Sequence, residues 1–150
     1  MRESKKDNDL FFVCSMIESI ARTTKNTRKD IVNQLGRHHV EKLYNLADVY
    51  HCENPDKVVD EFISAGGIKN GDFDNVSACK YSVPTFWDIG KVYKRLILGV
   101  VEDENKNVVD GLFDVYNSWI TGAIDNYNSD MYYSSPGYIL ECYKSGSILE

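Results

Sequence analysis

The chain has 150 residues, 43% of them hydrophobic and 27% charged, with a formal net charge of −6; that length fits one core burying about 68–70% of the unfolded surface, and no apolar run approaches the ~20 residues of a membrane span. The acidic balance argues against nucleic-acid binding over the whole surface and leaves room only for a local basic patch. Cys14, Cys52, Cys79 and Cys142 form no CxxC pair, and the polar stretch Met1 to Asp9 lacks the apolar centre of a secretory signal, so a cytoplasmic protein with reduced, structural thiols and no metal or cofactor is expected.

Asp9 to Ala21 reads as a first helix, because Leu10, Phe11, Val13, Cys14, Ile17, Ile20 and Ala21 cover more than half of its circumference, which is the pattern of a mostly buried helix. After the polar break Arg22 to Asn26, Thr27 and Asp30 resemble a capping box, opening a short helix Arg28 to Leu35 that ends at Gly36. A third helix follows from about His38 to His51. Asn54 and Pro55 start a fourth, with Val58, Val59, Phe62 and Ile63 inward and Gly66 and Gly67 as its stop. From Ile68 to Val83 the periodicity disappears, which marks a long loop or a joint between an N-terminal four-helix half and a C-terminal half of one domain.

Thr85, with Asp88 three residues on, opens a fifth helix whose inward side is Phe86, Ile89, Val92, Tyr93, Leu96, Ile97 and Val100. The longest periodic segment is Asn107 to Tyr127, with apolar residues at Val109, Leu112, Phe113, Tyr116, Trp119, Ile120, Ala123, Ile124 and Tyr127. Read as one helix it would be roughly 30 Å long at about 1.5 Å per residue. Asp110, Asp114, Asn117, Thr121 and Asp125 would form its solvated face, and Gly111, Val115, Ser118 and Gly122 a strip narrow enough for another helix to approach. On this reading Trp119 is buried, and its truncation to Ala would cost on the order of 3–5 kcal/mol. Ser135 and Pro136 start a last short helix carrying Tyr138, Ile139, Cys142 and Tyr143. The expectation is an all-α, irregular bundle of about six helices around a central antiparallel pair, 84–101 and 107–127.

Few residues group into chemistry. Arg22, Lys25, Arg28, Lys29 and Arg37 make a basic stretch that invites a helix-turn-helix reading, but the position just after Gly36 is Arg37 and an inward apolar residue is missing near Lys42. His51 and Cys52 are adjacent and point about 100° apart on a helix, and His38 with Glu41 lacks a third ligand, so no metal site is read. Cys14 or Cys52 with His51 lacks a glycine-framed nucleophile motif. Asp110, Asp114 and Asp125 are reminiscent of the paired acids of metal-dependent nucleases, yet an amphipathic helix carries such a face for solvation alone. Gly66–Gly67 lacks the spacing and the lysine of a phosphate loop. The uneven feature is tyrosine: Tyr132, Tyr133, Tyr138 and Tyr143 crowd the end of the chain, where a turn and a short helix bury aromatics poorly and interfaces favour them.

The runs FFVCSMIESIA, IVNQLG, LYNLADVYHCEN and VVDEFI, between about Asp9 and Ile63, resemble a family of short, uncharacterised helical bacterial proteins, common in Gram-positive anaerobes and often encoded near prophage or toxin–antitoxin-like genes. The resemblance implies a small cytoplasmic accessory or regulatory protein and carries no residue roles. A protein-interaction or regulatory module is therefore expected rather than an enzyme, with a protein partner or a second copy held by Tyr132, Tyr133, Tyr138 and Tyr143. The alternative is a DNA-binding regulator using the basic stretch 22–37.

Overall fold

In the computed structural model, residues 5–149 are described, and they form nine helices and no strand; the part of the leader reading that rests on residues 1–4 lies outside them. The helix at the centre is α1 (Lys5–Thr24), in which Leu10, Phe12, Val13, Cys14, Met16, Ile17, Ile20 and Ala21 are all buried. Against it lies α6 (Phe86–Glu104). The direction of the pair follows from its contacts: Arg22 meets the carbonyl of Pro84, Ser15 abuts Gly90, and the Lys94 ammonium sits over the Phe11 ring, so the two run antiparallel. A Cβ built on Gly90 would stand 2.1 Å from the Ser15 Oγ and 2.8 Å from its backbone nitrogen. The closeness of α1 and α6 depends on that glycine.

The caps expected from the sequence form. Thr27 accepts from the Asp30 amide at the start of α2 (Arg28–Asn45), Asn54 from the Asp56 amide at α4 (Pro55–Gly66), and Ser135 from the Tyr138 amide at α9 (Pro136–Ser145). Thr85 and Asp88 make a reciprocal capping box at α6. Gly36, with a φ of 73° and ψ of 169°, leaves the helical region where the short helix is expected to stop, so α2 is two helical pieces joined across a kink, the second running on to Asn45. The expected third helix breaks at Leu46, beyond which only the single turn α3 (Ala47–Tyr50) remains.

The largest difference from the sequence reading is in the segment Asn107 to Tyr127. It is not one helix but two, α7 (Val108–Tyr116) and α8 (Ile120–Asp125). The carbonyl of Val115, which a continuous helix would give to the Trp119 amide, accepts instead from the Ser118 Oγ at 2.7 Å and the Thr121 Oγ1 at 2.9 Å. The Ser118 amide closes a tighter turn onto the same oxygen. Hydroxyl side chains thus compete with the backbone ladder, and the chain bends. Trp119 is turned out, 39% exposed, while Thr121 and Asp125 of the supposed solvated face are buried. α6 and α7 do pack as a hairpin, with Gly111 against Val101, but α1 shares the centre with α6.

The loop after Gly67 is tied on both sides. The Gly71 and Phe73 amides donate to the carbonyls of Thr24 and Lys25, and the Asn26 Nδ2 to the carbonyl of Lys69. The single turn α5 (Asn75–Ala78) then reaches the end of α8, where the Asn75 Nδ2 donates to the Asp125 carbonyl and the Asn128 Nδ2 to that of Ala78. The loop so roofs the space between the α1–α2 link and α8.

Candidate functional site: a buried ionic cluster, a cavity and a tyrosine surface

Under that roof the core is polar. Glu18, 1% exposed, is the single charged residue between Leu10 and Ala21. Its Oε1 accepts from the Arg28 Nε at 2.8 Å, and its Oε2 accepts from the Arg28 Nη2 at 2.6 Å and the Arg22 Nε at 2.7 Å. The Tyr127 hydroxyl also donates to Oε2 and in turn accepts from the Nη2 of Arg22 and of Arg28. Two further bonds run from the guanidinium groups to backbone carbonyls, the Arg28 Nη1 to Asn26 and the Arg22 Nη2 to Pro84. Such a fork-to-fork pair survives burial only because nearly every lone pair and proton is used. Burial pushes the Glu18 carboxyl up, but the hydrogen bond and charge of Arg28, helped by Arg22 and Tyr127, outweigh it and hold it below the usual carboxylate range.

Asp125 is the second buried acid, 3% exposed, and the Tyr93 hydroxyl donates to its Oδ1 at 2.7 Å. No ion pair among the described residues includes it; the nearby arginines converge on Glu18 instead. Burial raises its carboxyl, the Arg28 charge lowers it, the Glu18 charge raises it again, and the Tyr93 bond lowers it, leaving it pushed up to about 7.

Asp125 lines a half-open cavity of about 530 Å³. Its walls come from the roof (Asp72, Phe73, Asp74, Asn75, Ala78), the start of α2 (Thr27, Lys29) and the α8 region (Ser118, Thr121, Gly122, Asn126, Tyr127, Asn128). The size is that of small-molecule sites, and an apolar wall with a few buried polar groups is their usual construction.

The tyrosines of the chain end are separated. Tyr133 is 69% exposed, as is Tyr81 of the loop before α6, and with half-buried Tyr132 they border a hollow of about 300 Å³ that also touches Tyr127, Asn128 and Ser129. The rings of Tyr127, Tyr132 and Tyr133 follow one another edge to face, 5.7 and 5.1 Å apart. Tyr138 instead donates its hydroxyl to the carbonyl of Leu149. Tyr143 lies half-buried near Glu104, Lys106 and Asp114. Tyr81 is missing from the expected interface set, because in the sequence it is only an isolated aromatic in an aperiodic loop.

The basic stretch is likewise divided. Arg28 is fully buried and Arg22 largely so, both spent on Glu18. Lys25 pairs with Asp74 at 3.3 Å, and Arg37 with Glu41 and Asp110, each at 2.6 Å; Lys29 is exposed on the cavity rim. Cys14 and Cys142 are buried, and burial pushes the Cys14 thiol up to about 12. Cys52, expected as a structural thiol, is exposed in the turn after α3. Among the described residues no group of His, Cys, Asp and Glu is placed to hold a metal ion, and no helix is long and apolar enough to cross a membrane.

No protein-family model matches the chain, and no curated protein or solved structure matches it.

Proposed function

We propose that the chain is a cytoplasmic protein-interaction module whose contact surface is centred on Tyr81 and Tyr133. The observation that supports this reading is the exposure of those two residues, 69% each, at the lining of one hollow. Tyrosine offers contact area at little entropic cost and a hydroxyl for the wet rim. Tyr132 meets Tyr133 edge to face and itself packs edge to face on Tyr127, which ties the surface to the core. A role as an accessory or regulatory protein of a mobile element rests on the family resemblance of residues 9–63. The nucleic-acid reading is not favoured, since Arg28 has no path to a phosphate and Arg22 little.

The test is the double variant Tyr81→Ser, Tyr133→Ser. Both side chains are exposed, so the melting temperature should hardly move. Sedimentation of the wild type and affinity capture from the native host should yield a dimer or a specific second protein, and the double variant should lose it. Unchanged mass and unchanged captured proteins would sink the proposal, and a steep, salt-dependent DNA affinity at low ionic strength would replace it with the basic-stretch reading.

A further inference from the structure

The cavity beside α8 presents a different chemistry from the tyrosine surface. Asp125 is a carboxylate taken out of water with one hydroxyl donor and no ion-pair partner among the described residues. The charged and titratable groups facing it are Glu18 and Arg22 of α1, Arg28 of α2, Tyr93 of α6 and, at the cluster's edge, Tyr127. Both arginines are drawn onto Glu18, so their help does not offset the cost of burying Asp125. A buried charge left this way is completed best by an opposite charge brought within contact.

The rest of the lining agrees. Its charged side chains are Asp72, Asp125 and Asp74, the last already paired with Lys25, against Lys29, an acidic balance. Phe73 and Tyr127 supply aromatic rings at the wall, and such rings offer contact area to an apolar or aromatic body. Both rings already have a guanidinium on them, Arg28 at 5.8 Å from the Phe73 centroid and Arg22 at 5.3 Å from that of Tyr127. Thr121, Gly122 and Asp125 of α8 all line the cavity, Thr121 four and Gly122 three residues before Asp125, so they share one side of that helix.

We propose that this cavity binds a small organic cation, a primary ammonium on an aromatic or apolar body, with the ammonium on Asp125 and the body against Phe73 and Tyr127. The site is separate from the Tyr81–Tyr133 surface and stands or falls independently of it.

The structure also supplies a way to close the cavity. A Cβ on Gly122 meets nothing within 4 Å, so Gly122→Leu fills the cavity from a helix that tolerates the residue well. The probes are 2-phenylethylamine and its neutral counterpart 2-phenylethanol, followed by calorimetry and by thermal shift on the full chain at neutral pH. The expected result is saturable binding of the amine and affinity for the alcohol weaker by about tenfold or more. Asp125→Asn and Gly122→Leu should each lose about tenfold or more for the amine. Their circular dichroism should remain that of the wild type; should Asp125→Asn fail to fold, Gly122→Leu alone decides. No binding of the amine at millimolar concentration, equal binding of the alcohol, or undiminished binding by Gly122→Leu overturns the proposal.

Discussion

Glu18 holds together three other side chains, Arg22, Arg28 and Tyr127, from three separate stretches of the sequence. Arg28 is 0% exposed and Glu18 1%, so removing either leaves a charge in a site that cannot hydrate it. Arg28→Met is expected to destabilise the fold by about 3–5 kcal/mol, read from urea unfolding. Replacing both together, Glu18→Leu with Arg28→Met, should cost clearly less than the sum of the two single changes, because no orphaned charge remains. Arg22 would be left unpaired in the double variant, but its side chain is 18% exposed and can reach water. If the single and double costs simply add, the pair is not the coupled unit that its two short bonds imply. Tyr116 shows the opposite case: its buried hydroxyl has nothing better than the Cys14 thiol beside it, a weak hydrogen-bonding group, and its ring, stacked 4.3 Å from that of Tyr93, carries the packing.

At the scale of helices, the contact that fixes the architecture is the close crossing of α1 and α6 at Gly90. An alanine there would gain up to about 1 kcal/mol of helix propensity, yet its methyl would collide with the Ser15 backbone as well as its hydroxyl. Separating the helices costs more, so Gly90→Ala should be net destabilising by about 1–3 kcal/mol in urea unfolding. Adding Ser15→Ala should not restore stability, because the nitrogen at 2.8 Å and the Cα at 2.9 Å remain; full rescue would show that only the hydroxyl mattered. The sequence made the helical class and the caps legible, since Thr27, Asn54, Thr85 with Asp88 and Ser135 act within three residues of themselves. It hid what depends on distant partners. The period of Asn107 to Tyr127 continues in phase across the break, so nothing in the spacing reveals that Ser118 and Thr121 take the Val115 carbonyl. Arg28 reads as one more surface cation until Glu18, ten residues earlier, is placed beside it. The clue available was Glu18 itself, a lone acid in an otherwise apolar helix. Tyr81 and Tyr133 come to line one hollow only because the loop before α6 folds against the chain after α8, a contact no local pattern encodes.

Across the whole molecule the two buried acids give stability opposite dependences on pH. Asp125 has its carboxyl pushed up to about 7 by burial, against about 3.9 in an unfolded chain. Between those values the native state holds a proton that the unfolded state has lost, so raising the pH favours unfolding. The contribution of protonated Asp125 is therefore complete below about pH 4, declines as pH rises towards 7, and is gone above that. Glu18 lies below the usual range, where the Arg28 bond more than offsets burial; its contribution is complete above the unfolded value of about 4.3 and is lost on acidification, as pH falls through its folded value. Stability should thus be greatest at mildly acidic pH, bounded on the alkaline side by Asp125 and on the acid side by Glu18. Asp125→Asn isolates the first effect, because the amide keeps an oxygen for the Tyr93 hydroxyl and cannot titrate. Urea unfolding of both proteins between about pH 4 and 8 should show the wild type losing stability relative to the variant by up to roughly 1 kcal/mol per pH unit, levelling off above about pH 7. A difference that stays constant over the range would mean that Asp125 titrates as an ordinary solvated carboxylate, and that the roof formed by residues 72–78 does not keep water from it.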